Sequence, residues 1–202
     1  NGRKVKLKGV NHHDTSPTNG YTLTPYEIER DLLLCKAYNI DTIRTSHYPP
    51  DPLLPELADE LGLYLVDEND LETHGIFAHQ LPPAFNSISH DSKWEGHYLD
   101  RIRRLYHRDK LHGNTSVIMW SLGNESGGYH NTDAMYHYLK ARSSLPVHYE
   151  GVIHSGRQAY DVGSEMYPTV AMVHNVGEKR RKQQRLNDRP YFLCEYAHAM
   201  GV

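Results

Sequence analysis

Two glutamates stand where apolar runs end, a setting suited to work on a glycosidic bond. Glu125 follows Val117-Ile-Met-Trp-Ser121 and a Leu-Gly-Asn segment, and Glu195 closes Tyr191-Phe-Leu-Cys194. One carboxylic acid that protonates a leaving oxygen and one carboxylate that attacks the anomeric carbon are the minimum machinery for glycoside cleavage. Taken singly, a glutamate ending a buried strand is equally well read as a salt-bridged structural group. Glu72 and His74 form a second constellation. Two residues apart on an extended segment, they point the same way and can reach one cation. Magnesium favours oxygen ligands and retained waters, so on ligand chemistry alone zinc suits the imidazole better.

These groups belong to a longer series. Polar clusters follow successive apolar runs: Asn11-His-His-Asp14, Ser46-His-Tyr-Pro49, Asp67-Glu68 with Leu71-Glu-Thr-His-Gly75, Ser121-Leu-Gly-Asn-Glu-Ser126, Glu165-Met-Tyr167 and Glu195-Tyr-Ala-His198. In an α/β barrel the C-terminal strand ends line one mouth, so such clusters converge. Fifteen His and fifteen Tyr fit a polar, aromatic-lined pocket of the kind sugars occupy, and fit ordinary surface and core use as well.

The elements that must position these groups alternate between short β-rich runs and amphipathic stretches, which predicts βαβ units and a parallel sheet. Strands are expected at Val5–Val10, Thr42–Ser46, Leu63–Asp67, Val117–Ser121, Val147–Glu150, Asp161–Met166 and Tyr191–Glu195. Helices are expected at Glu27–Tyr38, Pro52–Leu61, Trp94–Arg108 and Asn131–Ala141. The first opens on Thr24-Pro-Tyr-Glu27, an N-cap with proline at the first helical position and an acid at the third. Ile28, Leu32, Cys35 and Ala37 supply its apolar face, and Trp94, Tyr98, Ile102 and Leu105 form a packing stripe on the third helix. The expected fold is α/β, a (β/α)8 TIM-type barrel that ends at Val202 before its eighth strand, because a full barrel takes about 250 residues. All 202 residues are assigned to that one catalytic domain.

Hydrophobic residues make up 38% and charged residues 23% of the chain, enough for a packed core and too ordered a balance for a disordered chain. A formal net charge of −3 gives no electrostatic footprint for nucleic acid or anionic membranes. The Lys179–Arg185 run reads as a solvated helix face. No apolar run approaches membrane-spanning length. Two separated cysteines, Cys35 and Cys194, form no disulfide framework and fit a reducing cytoplasm.

Five motifs, in order, resemble glycoside hydrolase family two in its branch of lactose-operon β-galactosidases. They are Gly9-Val-Asn-His-His13, Arg44-Thr-Ser-His-Tyr-Pro49, Glu72-Thr-His-Gly75, Trp120-Ser-Leu-Gly-Asn-Glu-Ser126 and Leu193-Cys-Glu-Tyr-Ala-His-Ala-Met-Gly201. The resemblance implies retaining hydrolysis of terminal β-D-galactose from β-galactosides such as lactose. Glu125 would be the acid/base, and Glu195 the nucleophile carrying a covalent galactosyl intermediate. Glu72, His74 and Glu125 would hold magnesium, and His13 and His47 would stabilise the transition state. Asn124 would touch the sugar 2-hydroxyl, Tyr167 would sit beside the nucleophile, and His198 would contact galactose hydroxyls. A monovalent cation such as sodium and a homo-oligomeric complete enzyme are also implied. Asp14, Leu111-His-Gly-Asn-Thr115 and Val202 depart from the family pattern. The alternatives are a β-glucuronidase or β-mannosidase of the same family, a non-catalytic barrel fragment, and a zinc-dependent hydrolase.

Overall fold

The structure is a computed structural model that describes residues 5–78, 86–111, 113, 115–180 and 188–198. Among these residues seven strands alternate with helices: β1 Gly9–His12, β2 Thr42–Thr45, β3 Tyr64–Glu68, β4 Val117–Ser121, β5 Val147–His148, β6 Gly163–Met166 and β7 Tyr191–Glu195. The helices are α1 Pro25–Ala37, α2 Leu53–Leu61, α3 His74–Ala78, α4 Ser87–His90, α5 Glu95–Leu111, α6 His130–Lys140, α7 Val152–Ser155 and α8 Val170–Gly177. Strands β1 to β5 form one parallel sheet in sequence order, and β6 pairs with β7 in a second. The two join where the Asp161 amide donates to the Val147 carbonyl at 2.8 Å. On the far side the Tyr196 hydroxyl donates to the Gly9 carbonyl at 2.6 Å.

Local chemistry accounts for the elements. Thr24 and Glu27 close the expected capping box, with Pro25 in the first turn of α1. Ile28 and Leu32 pack into the core, whereas Ala37 at the last turn is exposed. On α5, Tyr98, Ile102 and Leu105 are buried, but Trp94 precedes the helix in a 3-10 turn and is 43% exposed. The main core lies between strands and helices, and a smaller cluster of Val66, Met119 and Val162 fills the inside of the sheet.

Three further sequence expectations need correction. The first strand is Gly9–His12 rather than Val5–Val10. Its neighbour β2 begins only at Thr42, so pairing starts at Gly9↔Thr42 and the alternation of Val5 and Leu7 finds no ladder. The fifth strand stops at His148 instead of Glu150, because Tyr149 and Glu150 turn to serve another loop. Lys179 and Arg180 follow α8 in a turn and not on a helix face; the rest of that basic run lies outside the described residues, as do Ala199 to Val202.

Candidate active site

Every polar cluster read from the sequence sits at a C-terminal strand end, and the side chains form one continuous chain of contacts. Arg44 on β2 is its hub. The guanidinium, 2% exposed, donates from Nε to Glu68 Oε2 at 2.6 Å and from Nη2 to Glu68 Oε1 at 3.0 Å. It also donates from Nη1 to Glu195 Oε1 at 3.2 Å and from Nη2 to Asn124 Oδ1 at 3.0 Å. A planar fork matches carboxylate geometry in this bidentate way. Burial alone would push the Glu68 carboxyl up, but Arg44, His47 and Ser121 hold it below the ordinary range.

Glu195 ends β7 with its carboxylate at the mouth. Tyr167, which follows β6, donates its hydroxyl to Glu195 Oε2 at 2.5 Å, and that bond pushes the phenol up to about 12. His198 Nδ1 lies 3.1 Å from the same hydroxyl. His47 Nδ1 lies 2.9 Å from Glu68 Oε1, and its Nε2 lies 3.7 Å from Glu195 Oε1. The exposed His13 ring packs edge-on against His47 at a centroid distance of 5.2 Å. Burial, then the charges of His47, His12 and Arg44, lowers the His13 pKa.

The loop after β4 brings in the second half. Gly123 has φ of +139°, and a Cβ there would stand 2.6 Å from Leu71 Cβ, so this close passage needs glycine. The passage lets the Asn124 amide donate to the Leu71 carbonyl at 2.8 Å. Asn124 Nδ2 then donates to Glu72 Oε2 at 2.8 Å, and His74 Nδ1 lies 2.5 Å from Glu125 Oε2. Glu72, His74 and Glu125 each offer a ligand atom within 4.8 Å of the others. Two carboxylates and an imidazole so placed fit a divalent cation. Burial raises the Glu72 carboxyl above its usual range.

All nine residues singled out in the sequence for catalysis, binding or metal ligation therefore meet at one mouth. Sequence reasoning missed His148 and Glu150 as site groups, read Glu68 and Ser121 only as parts of clusters, and met Arg44 only as the first residue of a family motif. The visible sign for Arg44 was a cation inside the strand Thr42-Ile-Arg-Thr45, where all four residues are buried. For Glu150 it was an acid just past the apolar Val147.

His148 links the sheets under this mouth. Its Nδ1 lies 3.0 Å from Ser121 Oγ and its Nε2 lies 2.9 Å from Ser164 Oγ. Full burial, with the Arg44 charge adding to it, pushes the imidazole down to about 3. The unfolded chain takes up that proton near pH 6.5. The neutral ring thus contributes stability fully above about pH 6.5, and the contribution is lost as pH falls toward about 3. The loss is on the order of a few kcal/mol. His148→Gln keeps polar contacts and removes the titration. Its thermal stability should vary less between pH 6.5 and 4 than that of the native protein, and parallel curves for the two would refute this account.

The chain is similar along its whole length to known proteins. The model of the glycosyl hydrolases family 2, TIM barrel domain, matches residues 1–202. A β-galactosidase of Priestia megaterium is 41% identical over 205 residues, covering all of this chain and 19% of that protein. One from Pseudoalteromonas haloplanktis is 40% identical over 208 residues, again with all of the chain and 19% of the relative covered. The chain spans about a fifth of the length of the curated relatives it matches. Among solved structures, a β-glucuronidase of Ruminococcus gnavus superposes with a TM-score of 0.75 at 22% identity, over 96% of this chain and 36% of that one. Matched along its whole length by the family model and by relatives of about 40% identity, the chain belongs to glycosyl hydrolases family 2, as a TIM barrel domain of that family.

Proposed function

We propose that this chain is the catalytic barrel of a retaining β-galactosidase. The observation that carries the reading is the Glu195 carboxylate, fixed by Arg44 and Tyr167 at the mouth that also holds Glu125. Relatives named β-galactosidase at about 40% identity along the whole chain support galactose as the sugar. In this reading Glu195 attacks the anomeric carbon while Glu125 gives its proton to the leaving oxygen. A galactosyl ester on Glu195 results. Glu125 then takes a proton from the water that cleaves the ester, which completes two displacements and retains configuration. Tyr167 orients the nucleophile. His13 and His47 line the face where charge develops, and Asn124 and His198 meet sugar hydroxyls.

Glu72, His74 and Glu125 would hold magnesium. When bound, the ion supplies positive charge and fixes the geometry of its ligands. A uronic acid brings its own carboxylate to the site. The described mouth already gathers Glu72, Glu125 and Glu195, and Arg44 is turned inward to Glu68 and Glu195, which disfavours a glucuronide.

The test is a panel of 4-nitrophenyl β-galactoside, β-glucuronide and β-mannoside with the full-length protein. Galactoside kcat/KM should lead by on the order of 100-fold or more, the scale set by contacts to sugar hydroxyls. Chelation should lower that rate and magnesium should restore it. A glucuronide or mannoside preference would replace the reading with the corresponding activity.

A further inference from the structure

The corner that follows β5 grips the loop that carries Glu125. Two consecutive amides of that loop are taken by two consecutive side chains. The Glu125 amide donates to Glu150 Oε1 at 2.9 Å, and the Ser126 amide donates to the Tyr149 hydroxyl at 3.0 Å. Both acceptors are inside the protein, with Tyr149 at 0% and Glu150 at 7% exposure. The backbones behind them also touch. A Cβ on Gly151 would run into the Gly127 carbonyl oxygen, and one on Gly128 would stand 3.0 Å from Val152 Cα. Ser126 Oγ fixes the loop from the other side, donating to the Asn124 carbonyl at 2.7 Å and accepting the Thr73 amide at 2.8 Å.

Glu125 itself has φ of +35°, a left-handed backbone. Such a conformation costs a non-glycine residue about 1–3 kcal/mol and persists where its surroundings impose it. Stability does not explain the glutamate that imposes it. Burying a carboxylate costs several kcal/mol, more than one amide hydrogen bond returns. That amide is the hydrogen-bond partner of Glu150 among the described residues.

We infer that Tyr149-Glu150-Gly151 is a latch whose two side chains are positioning residues, holding Glu125 in line with the leaving group through the amides of residues 125 and 126. The inference rests on the reading of Glu125 as acid/base. It places the latch outside the reacting atoms: neither side chain transfers a proton, and loss of the latch lets the acid drift.

A misplaced acid has a signature that general destabilisation lacks. A 2,4-dinitrophenyl galactoside departs without a proton, whereas methyl β-galactoside requires one. Both should be assayed for kcat/KM in the full-length protein carrying Glu150→Ala, Glu150→Gln, Tyr149→Phe or, as reference, Glu125→Gln. In the reference the methyl glycoside should fall on the order of 100-fold or more relative to the dinitrophenyl one, the usual worth of general acid catalysis. Glu150→Ala should widen the same ratio by on the order of 10- to 100-fold, the effect of an ångström-scale displacement. Glu150→Gln, whose amide oxygen can still accept, should restore most of the native ratio. Tyr149→Phe conserves volume and should widen the ratio in the same sense, so it decides the matter if Glu150→Ala fails to fold. Equal losses on both substrates in Glu150→Ala and Tyr149→Phe, or no loss at all, would overturn the latch while leaving the acid assignment intact. A Glu150→Gln ratio as wide as that of Glu150→Ala would overturn the amide contact as its means. An unchanged ratio in Glu125→Gln would instead remove the acid/base reading, and the latch with it.

Discussion

Glu195→Gln should lower turnover of β-galactosides by between about 10⁴- and 10⁶-fold, the range found when a group that acts at the centre of a catalytic unit is removed. An amide cannot form the glycosyl ester, and nothing else at the mouth replaces it, because Glu125 serves the opposite role in the proposed mechanism. The substitution is nearly isosteric. Tyr167 can still donate to the amide oxygen, so the fold should survive and the loss should lie in kcat. Arg44 would then meet either that oxygen or an NH2 group, a weaker partner than the carboxylate it holds at 3.2 Å. Steady-state kinetics with a melting curve measures the effect. A fluorinated galactoside that traps the covalent intermediate should label Glu195 in the native protein, read by peptide mass. Label on Glu125, or turnover within tenfold of native by Glu195→Gln, would reverse the assignment.

What the sequence made legible follows from physical reach. Strand ends announce themselves because an apolar run breaks at a polar cluster. For that reason β4 and β7 match their expected bounds, and Glu125, Glu195, Glu72 and His74 stand out from residue type and position alone. His13, His47, Asn124, Tyr167 and His198 are named only through the resemblance of their motifs to the family. Strand β1 was misplaced because alternation in Val5 and Leu7 is a local property, while a ladder needs a neighbour that begins only at Thr42. The end of β5 falls short of its expected bound for a related reason. Tyr149 and Glu150 continue the strand pattern, yet their partners lie 23 and 25 residues away on another loop. Arg44 and Glu68 are 24 residues apart and carry no mutual spacing rule, so only the parallel pairing of β2 with β3 shows them as a pair.

That pair gives the second large effect. Arg44→Met should destabilise the protein by about 3–5 kcal/mol, because it leaves a buried carboxylate without its cation. For a domain of this size the loss corresponds to a fall of roughly 6–20 °C in Tm. The pH dependence should change as well. In the native protein the Glu68 carboxyl is held below its ordinary value, so its contribution is present above about pH 4.5 and is lost as pH falls. Without Arg44, burial dominates and raises that carboxyl. The protonated form is then the one the fold tolerates, and the penalty grows as pH rises above about 4.5. The Tm deficit of Arg44→Met should therefore be larger at pH 8 than at pH 5. Arg44→Met with Glu68→Leu removes the stranded charge and should recover much of the stability, as apolar replacement of buried ion pairs does. It should not recover turnover, since Arg44 also orients Glu195 and Asn124. Melting and kinetics on the native protein and these two variants separate the two roles. A double variant as unstable as the single one would show that the charge left on Glu68 is not the cause, and recovered turnover would show that Arg44 serves the fold alone.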